Sequence, residues 1–125
     1  MITKKTLVAE RVRKISGSFA FVEHRFLQNG FLQTLNQHEI LLYFFLVLVA
    51  DRNGLSFYSY DKICTLLTIT LDEYIRARDS LIDKDLLAFD GQFFQVLSLP
   101  EKPYVPALNS LQARHNTETS NVGIL

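Results

Sequence analysis

The sequence predicts an α+β domain, mainly α, and three observations carry that expectation. The first is a pair of short helical stretches between Ser59 and Lys84, separated by Leu67-Thr68-Ile69. Each opens on a hydroxyl side chain suited to an N-cap. The second follows directly: Leu86-Leu87-Ala88-Phe89, Asp90-Gly91 and Phe93-Phe94-Gln95-Val96-Leu97 read as strand, turn and strand. The third is composition. Of 125 residues 48% are apolar, ten are Phe and none is Trp. That is enough apolar surface for one core and one domain, and it excludes a disordered chain. Helix, turn, helix and hairpin in that order make a winged helix-turn-helix, here with an amino-terminal extension.

Residues 1–18 read as a basic arm. Leu7, Val8, Arg11, Val12 and Ile15 fall at helical spacing. The segment is either a frayed terminus or an arm that lies along DNA phosphates. Gly17-Ser18 interrupts it, and Phe19-Ala20-Phe21-Val22 reads as a short strand or extended piece. Between His24 and Leu35 the apolar residues are Phe26, Leu27, Phe31, Leu32 and Leu35, punctuated by Asn29-Gly30.

Asn36-Gln37-His38-Glu39 predicts a capping box, with Leu35 stapled onto Ile40, for a helix running through Ala50. Its centre, Ile40–Val49, is apolar on every face, which predicts burial all round. Wrapping by Phe19–Leu35 would cover part of it, and a second copy in a homodimer the remainder. The helix stops at Asp51-Arg52-Asn53-Gly54, and Leu55–Tyr58 reads as a short strand that pairs with the wing.

Ser59 is the expected cap of a helix Tyr60–Leu67, with Asp61 in its first turn. Thr70-Leu71-Asp72-Glu73 is a second capping-box pattern. The helix after it is expected to turn Leu71, Tyr74, Ile75, Leu81 and Ile82 inward. Arg78 falls on that apolar face, so it should pair with a carboxylate or reach the rim. Residues 19–99 thus form the domain, and residues 100–125 a polar tail containing Pro100, Pro103 and Pro106, with one or two helical turns over Ala107–Arg114.

This frame resembles the winged helix-turn-helix domains of plasmid and phage replication initiators, primosomal proteins and related bacterial regulators. Phe57 and Ser59 match the opening of the family pattern, Ile63-Cys64 its apolar-small step, and Ile69-Thr70 its turn and cap. Arg76 falls on the family's arginine, and Leu81, Leu86 and Leu87 on its closing apolar positions. The match continues upstream through Asn36–Ala50 and Asn53-Gly54. Departures are Tyr58 for Pro, Thr68 for the turn Gly, Glu73 for Thr, Arg78 for an apolar residue and Asp85 for Gly.

The resemblance implies double-stranded DNA as partner, in regulation or replication of a bacterial or mobile genetic element. It makes Thr70–Lys84 the recognition helix, with Asp72, Glu73, Arg76, Ala77 and Ser80 outward. Arg76 would reach a guanine edge or a phosphate, and Thr70 a phosphate at the helix start, beside Ser59. The arm bases Lys4, Lys5, Arg11, Arg13 and Lys14 would neutralise phosphates.

Charge divides the chain. The formal total is zero, but residues 1–30 hold six bases against two acids, a net +4, and the remainder carries −4. Asp72, Glu73, Asp79 and Asp83 oppose tight DNA contact, and the Asp90-Gly91 tip has no base to probe a minor groove. These features favour the alternative, a winged-helix interaction or dimerisation module without DNA readout. No enzyme, cofactor or metal is expected. His24, His38 and His115 lack partners at zinc spacing, and Cys64 reads as a packed thiol rather than a nucleophile. One cysteine, no signal-peptide pattern and no apolar run of membrane length predict a cytoplasmic protein.

Overall fold

The computed structural model describes residues 2–104. Its elements follow in the order α1 (Arg25–Gln28), α2 (Gln37–Val49), β1 (Leu55–Ser56), α3 (Tyr60–Leu67), α4 (Leu71–Asp83), β2 (Leu87–Phe89) and β3 (Phe94–Val96). β3 lies between β1 and β2 and is antiparallel to both, pairing Ser56 with Phe94 and Leu87 with Val96. The fold is an α+β winged helix-turn-helix, mainly helical with a small three-stranded sheet. Its core is Leu42, Leu46, Ile63, Leu81, Leu86, Leu87 and Phe94, all fully buried, with Phe31 closing one side.

The capping box of α2 forms as expected. Asn36 Oδ1 accepts the Glu39 N–H at 2.9 Å, and Glu39 Oε1 accepts the Asn36 N–H at 3.0 Å. Burial of α2 is one-sided, contrary to the expectation from its sequence. Leu42, Tyr43, Leu46 and Val47 face the core, while Ile40, Leu41, Phe44 and Leu48 are exposed. The wrapping segment covers only the Tyr43 side. Phe26 stacks on Tyr43 at 5.0 Å and neighbours Phe31 at 6.0 Å. Phe19–Val22 forms no strand, and Phe19 and Phe21 stay in solvent.

Nor does the arm form the expected helical stripe. Every residue from 2 to 24 is exposed, and a single 3-10 turn occurs at Ala9–Arg11. A stripe of that length is marginal without a surface to dock on, and Gly17 ends it early. The turns expected over Ala107–Arg114 lie outside the described residues.

α3 has the predicted bounds, but Ser59 differs in role. Its backbone is extended as a cap requires, yet its side chain accepts no backbone N–H of the helix and acts instead on the Asp61 carboxyl of the first turn, lowering its pKa. The capping box of α4 is complete: Thr70 Oγ1 accepts the Glu73 N–H at 3.1 Å and Glu73 Oε1 accepts the Thr70 N–H at 2.9 Å. The inner stripe of α4 is Tyr74, Ala77 and Leu81, whereas Leu71 and Ile82 are exposed. α4 packs against both α2 and α3, so its face is fixed by two neighbours. Alanine fits where helices approach closely, and the larger pair is turned about a quarter of a circle away. The wing turn also shifts by one residue. Asp90 N–H donates to Phe93 O at 3.2 Å, which makes Gly91-Gln92 the tip.

Among the described residues, two other than glycine adopt left-handed backbone, Thr68 (φ 56°) and Asp85 (φ 64°). Thr68 ends α3, and Asp85 follows the cap of α4. These are two of the positions where the chain departs from glycine in the pattern it resembles. A β-branched residue is strained there, whereas Asp tolerates the region. Thr68→Gly should raise stability by about 1 kcal/mol, the strain relief outweighing the added freedom of the unfolded chain. Asp85→Gly should gain less. Urea unfolding of both variants checks the order, and a Thr68→Gly protein weaker than wild type would contradict it.

Candidate nucleic-acid interface

The turn Thr68-Ile69 sets α3 and α4 against each other. Thr68 N–H bonds back to Cys64 O, as does the Ile69 N–H at 3.1 Å, and Cys64 Sγ lies 3.8 Å from Thr70 O. Ile63 and Ile69 fill the angle between the helices. Burial pushes the Cys64 thiol pKa up, with the nearby Asp61 charge acting in the same sense. That protonated, half-buried thiol serves packing rather than nucleophilic chemistry.

The outward stripe of α4 is Asp72, Arg76, Asp79 and Asp83, three carboxylates and one guanidinium. Arg76 is exposed, and its Nε lies 3.4 Å from Asp72 O. At the α4 start, the Thr70 backbone N–H holds the Glu73 carboxyl below its usual pKa, and the charges of His38 and Arg76 add to this. His38 Nε2 lies 3.4 Å from Glu73.

Two expected outward residues are not outward. Ala77 is 2% exposed and belongs to the core. Ser80 is half-buried and its hydroxyl helps to lower the Glu39 pKa, which places it toward α2. Both follow from the rotation of α4 about its axis noted above. Thr70 and Ser59 are exposed at the two helix starts, and Lys4, Lys5, Arg11, Arg13 and Lys14 are exposed along the arm.

Arg78 behaves as its position predicts. Its guanidinium donates to Asp79 at 3.0 Å and lies over the rings of Tyr74 (5.5 Å) and Phe89 (5.3 Å). Burial alone would lower its pKa; the bonds to Asp79 and Tyr74 outweigh that and raise it. The stem packs on aromatic rings while the head meets a carboxylate at the rim.

The most buried of the polar contacts missed by sequence reasoning joins α2 to the end of α4. Lys84 Nζ donates to Glu39 Oε1 at 2.7 Å and also to Thr34 O. The pair is buried, Glu39 being 5% exposed. Helical phase carried the signal. Glu39 precedes Leu42, Tyr43 and Leu46 on the inner face of α2, and Lys84 follows Ala77 and Leu81 on the inner side of α4. Two opposite charges on facing apolar stripes predict a bridge.

Among the described residues no group of three or more His, Cys, Asp or Glu could hold a metal ion. None of their helices is long and apolar enough to cross a membrane. In comparison with known proteins, residues 33–87 match the helix-turn-helix domain family. No curated protein and no solved structure matches the chain. The matched region spans α2 through the start of β2, so the similarity covers the unit that α3 and α4 form. A helix-turn-helix of this kind points to DNA binding.

Proposed function

We propose that the protein binds double-stranded DNA, in regulation or replication of a bacterial or mobile genetic element. The observation that carries this reading is the helix-turn-helix match over residues 33–87, on a chain whose amino-terminal arm is basic and wholly exposed. The arm and the helix have different tasks. Lys4, Lys5, Arg11, Arg13 and Lys14 neutralise phosphates, which gives affinity without sequence information. Arg76, flanked by Thr70 and Ser59 at the helix starts, supplies what base discrimination there is. Ala77 and Ser80 act only by holding α4 in place.

The acidic stripe of α4 and the base-free wing favour a second reading, an interaction module that does not read DNA. The two separate by fluorescence anisotropy on a selected site and on random duplex, each across a salt series. Deleting residues 2–14 should weaken binding to every sequence. The salt slope should flatten by up to roughly 4 units, if all five bases sit on phosphates. Arg76→Ala should cost about 1–3 kcal/mol on the preferred site with little change of slope. No binding to any duplex at low salt would leave the interaction module as the function.

A further inference from the structure

Among the apolar surfaces that the described residues leave bare, two match each other. One is the outer stripe of α2, where Ile40, Leu41, Phe44 and Leu48 recur on one face, Phe44 and Leu48 each 55% exposed. The other is the segment from Ile15 to Val22, which holds no charged residue. It presents Ile15, Phe19 (68% exposed), Phe21 (74%) and Val22 to solvent. We infer that two copies of this chain associate through α2, with the Ile15–Val22 segment of each laid along the flank of the other's α2 stripe.

Area is the first argument. The stripe alone offers roughly 400 Å² of apolar surface per copy, about half of the ~800 Å² that a standard interface takes from each partner. The four exposed side chains of the segment add roughly 500 Å², which closes the deficit. Position is the second. The segment joins α1 through Glu23-His24, and α1 is fixed beside α2 by the stack of Phe26 on Tyr43. The segment therefore starts at the edge of the helix across which a second copy would lie. Eight extended residues reach about 26 Å, more than the ~12 Å length of the stripe. Among the described residues the chain's own segment leaves the stripe bare, and the matching area and position of that segment favour a second copy as occupant. Such a contact is isologous and closes at two copies. It also leaves Lys4–Lys14 of both arms uncovered.

Sedimentation velocity on the full chain, from about 1 to 100 μM, tests this. Wild type should show a concentration-dependent dimer. Phe44→Glu should be monomeric through that range, with unchanged helical circular dichroism because Phe44 is outside the core. Leu48→Glu serves as the second α2 variant should Phe44→Glu fail to fold. The double variant Phe19→Ser with Phe21→Ser should weaken the dimer at least about tenfold. A wild-type monomer overturns the inference, as does a dimer indifferent to the folded α2 variant. A dimer lost on α2 substitution but untouched by the Phe19 and Phe21 changes overturns the exchange of segments.

Discussion

Lys84→Met should lower the unfolding free energy by about 3 kcal/mol, because it leaves the Glu39 carboxylate buried without its cation. Methionine keeps the stem's packing, so the loss reports the charge. Glu39 retains the Asn36 N–H and the Ser80 hydroxyl, which holds the effect at the low end for a broken buried pair. Burial alone would raise the Glu39 pKa, but the bonds from Lys84, Ser80 and Asn36 outweigh it and hold the group below the ordinary value of 4.5. A depressed carboxylate contributes stability above its unfolded pKa and loses it as pH falls through its folded pKa. The gap between wild type and Lys84→Met should thus be widest near neutrality and narrow below about pH 4.5. Urea unfolding of both proteins at neutral and acid pH measures it. A gap that does not change with pH would mean that Lys84 acts by packing alone. Adding Glu39→Gln to Lys84→Met should recover part of the loss, since the amide needs no counter-ion.

Gly54→Ala should be about as damaging, at roughly 3 kcal/mol or more. Gly54 has φ +84°, and a Cβ there would sit 2.5 Å from Val96 O. That oxygen belongs to the backbone of β3, whose Val96 N–H also donates to Gly54 O at 2.9 Å. Relief would require moving β3 away from β1 and opening the sheet behind the wing. Gly91 is the control: its φ is +97° with nothing within 4 Å of a Cβ, so Gly91→Ala should lose only about 1 kcal/mol. Asn adopts left-handed backbone more readily than Ala but meets the same oxygen. If steric contact dominates, Gly54→Asn and Gly54→Ala are equally unstable; a recovery by Asn would assign the loss to φ instead.

Sequence reasoning was most reliable where a local pattern has one physical solution. Asn36 with Glu39 and Thr70 with Glu73 closed as capping boxes because the partners are three residues apart on one helix end. The αα turn and the hairpin order followed from the same short-range chemistry. It was least reliable where a side chain had to choose between neighbours distant in sequence. Phe19–Val22 found no strand to pair with, and Lys84 reached Glu39 from the far end of α4. Of the residues expected at an interface, the arm bases followed from charge and Arg76 from the resemblance, and all are exposed. Ala77 and Ser80 were misassigned because α4 has two helical neighbours, and their combined packing sets its rotation.

From α2 onward the sequence by itself determined the order of the elements and their lengths to within a residue or two, since each depends on contacts a few positions apart. It also determined that α2 is apolar on every face between Ile40 and Val49. Only the tertiary structure decided which side of α2 stays bare. Phe26, Phe31 and the core of α4 and β3 compete for the same helix, and their joint geometry leaves Phe44 and Leu48 outside. The same packing made Glu39 and Lys84 a pair across 45 residues and put Ala77 in the core. Sequence spacing records the face of each helix, but the angle at which two faces meet is set by all the side chains between them.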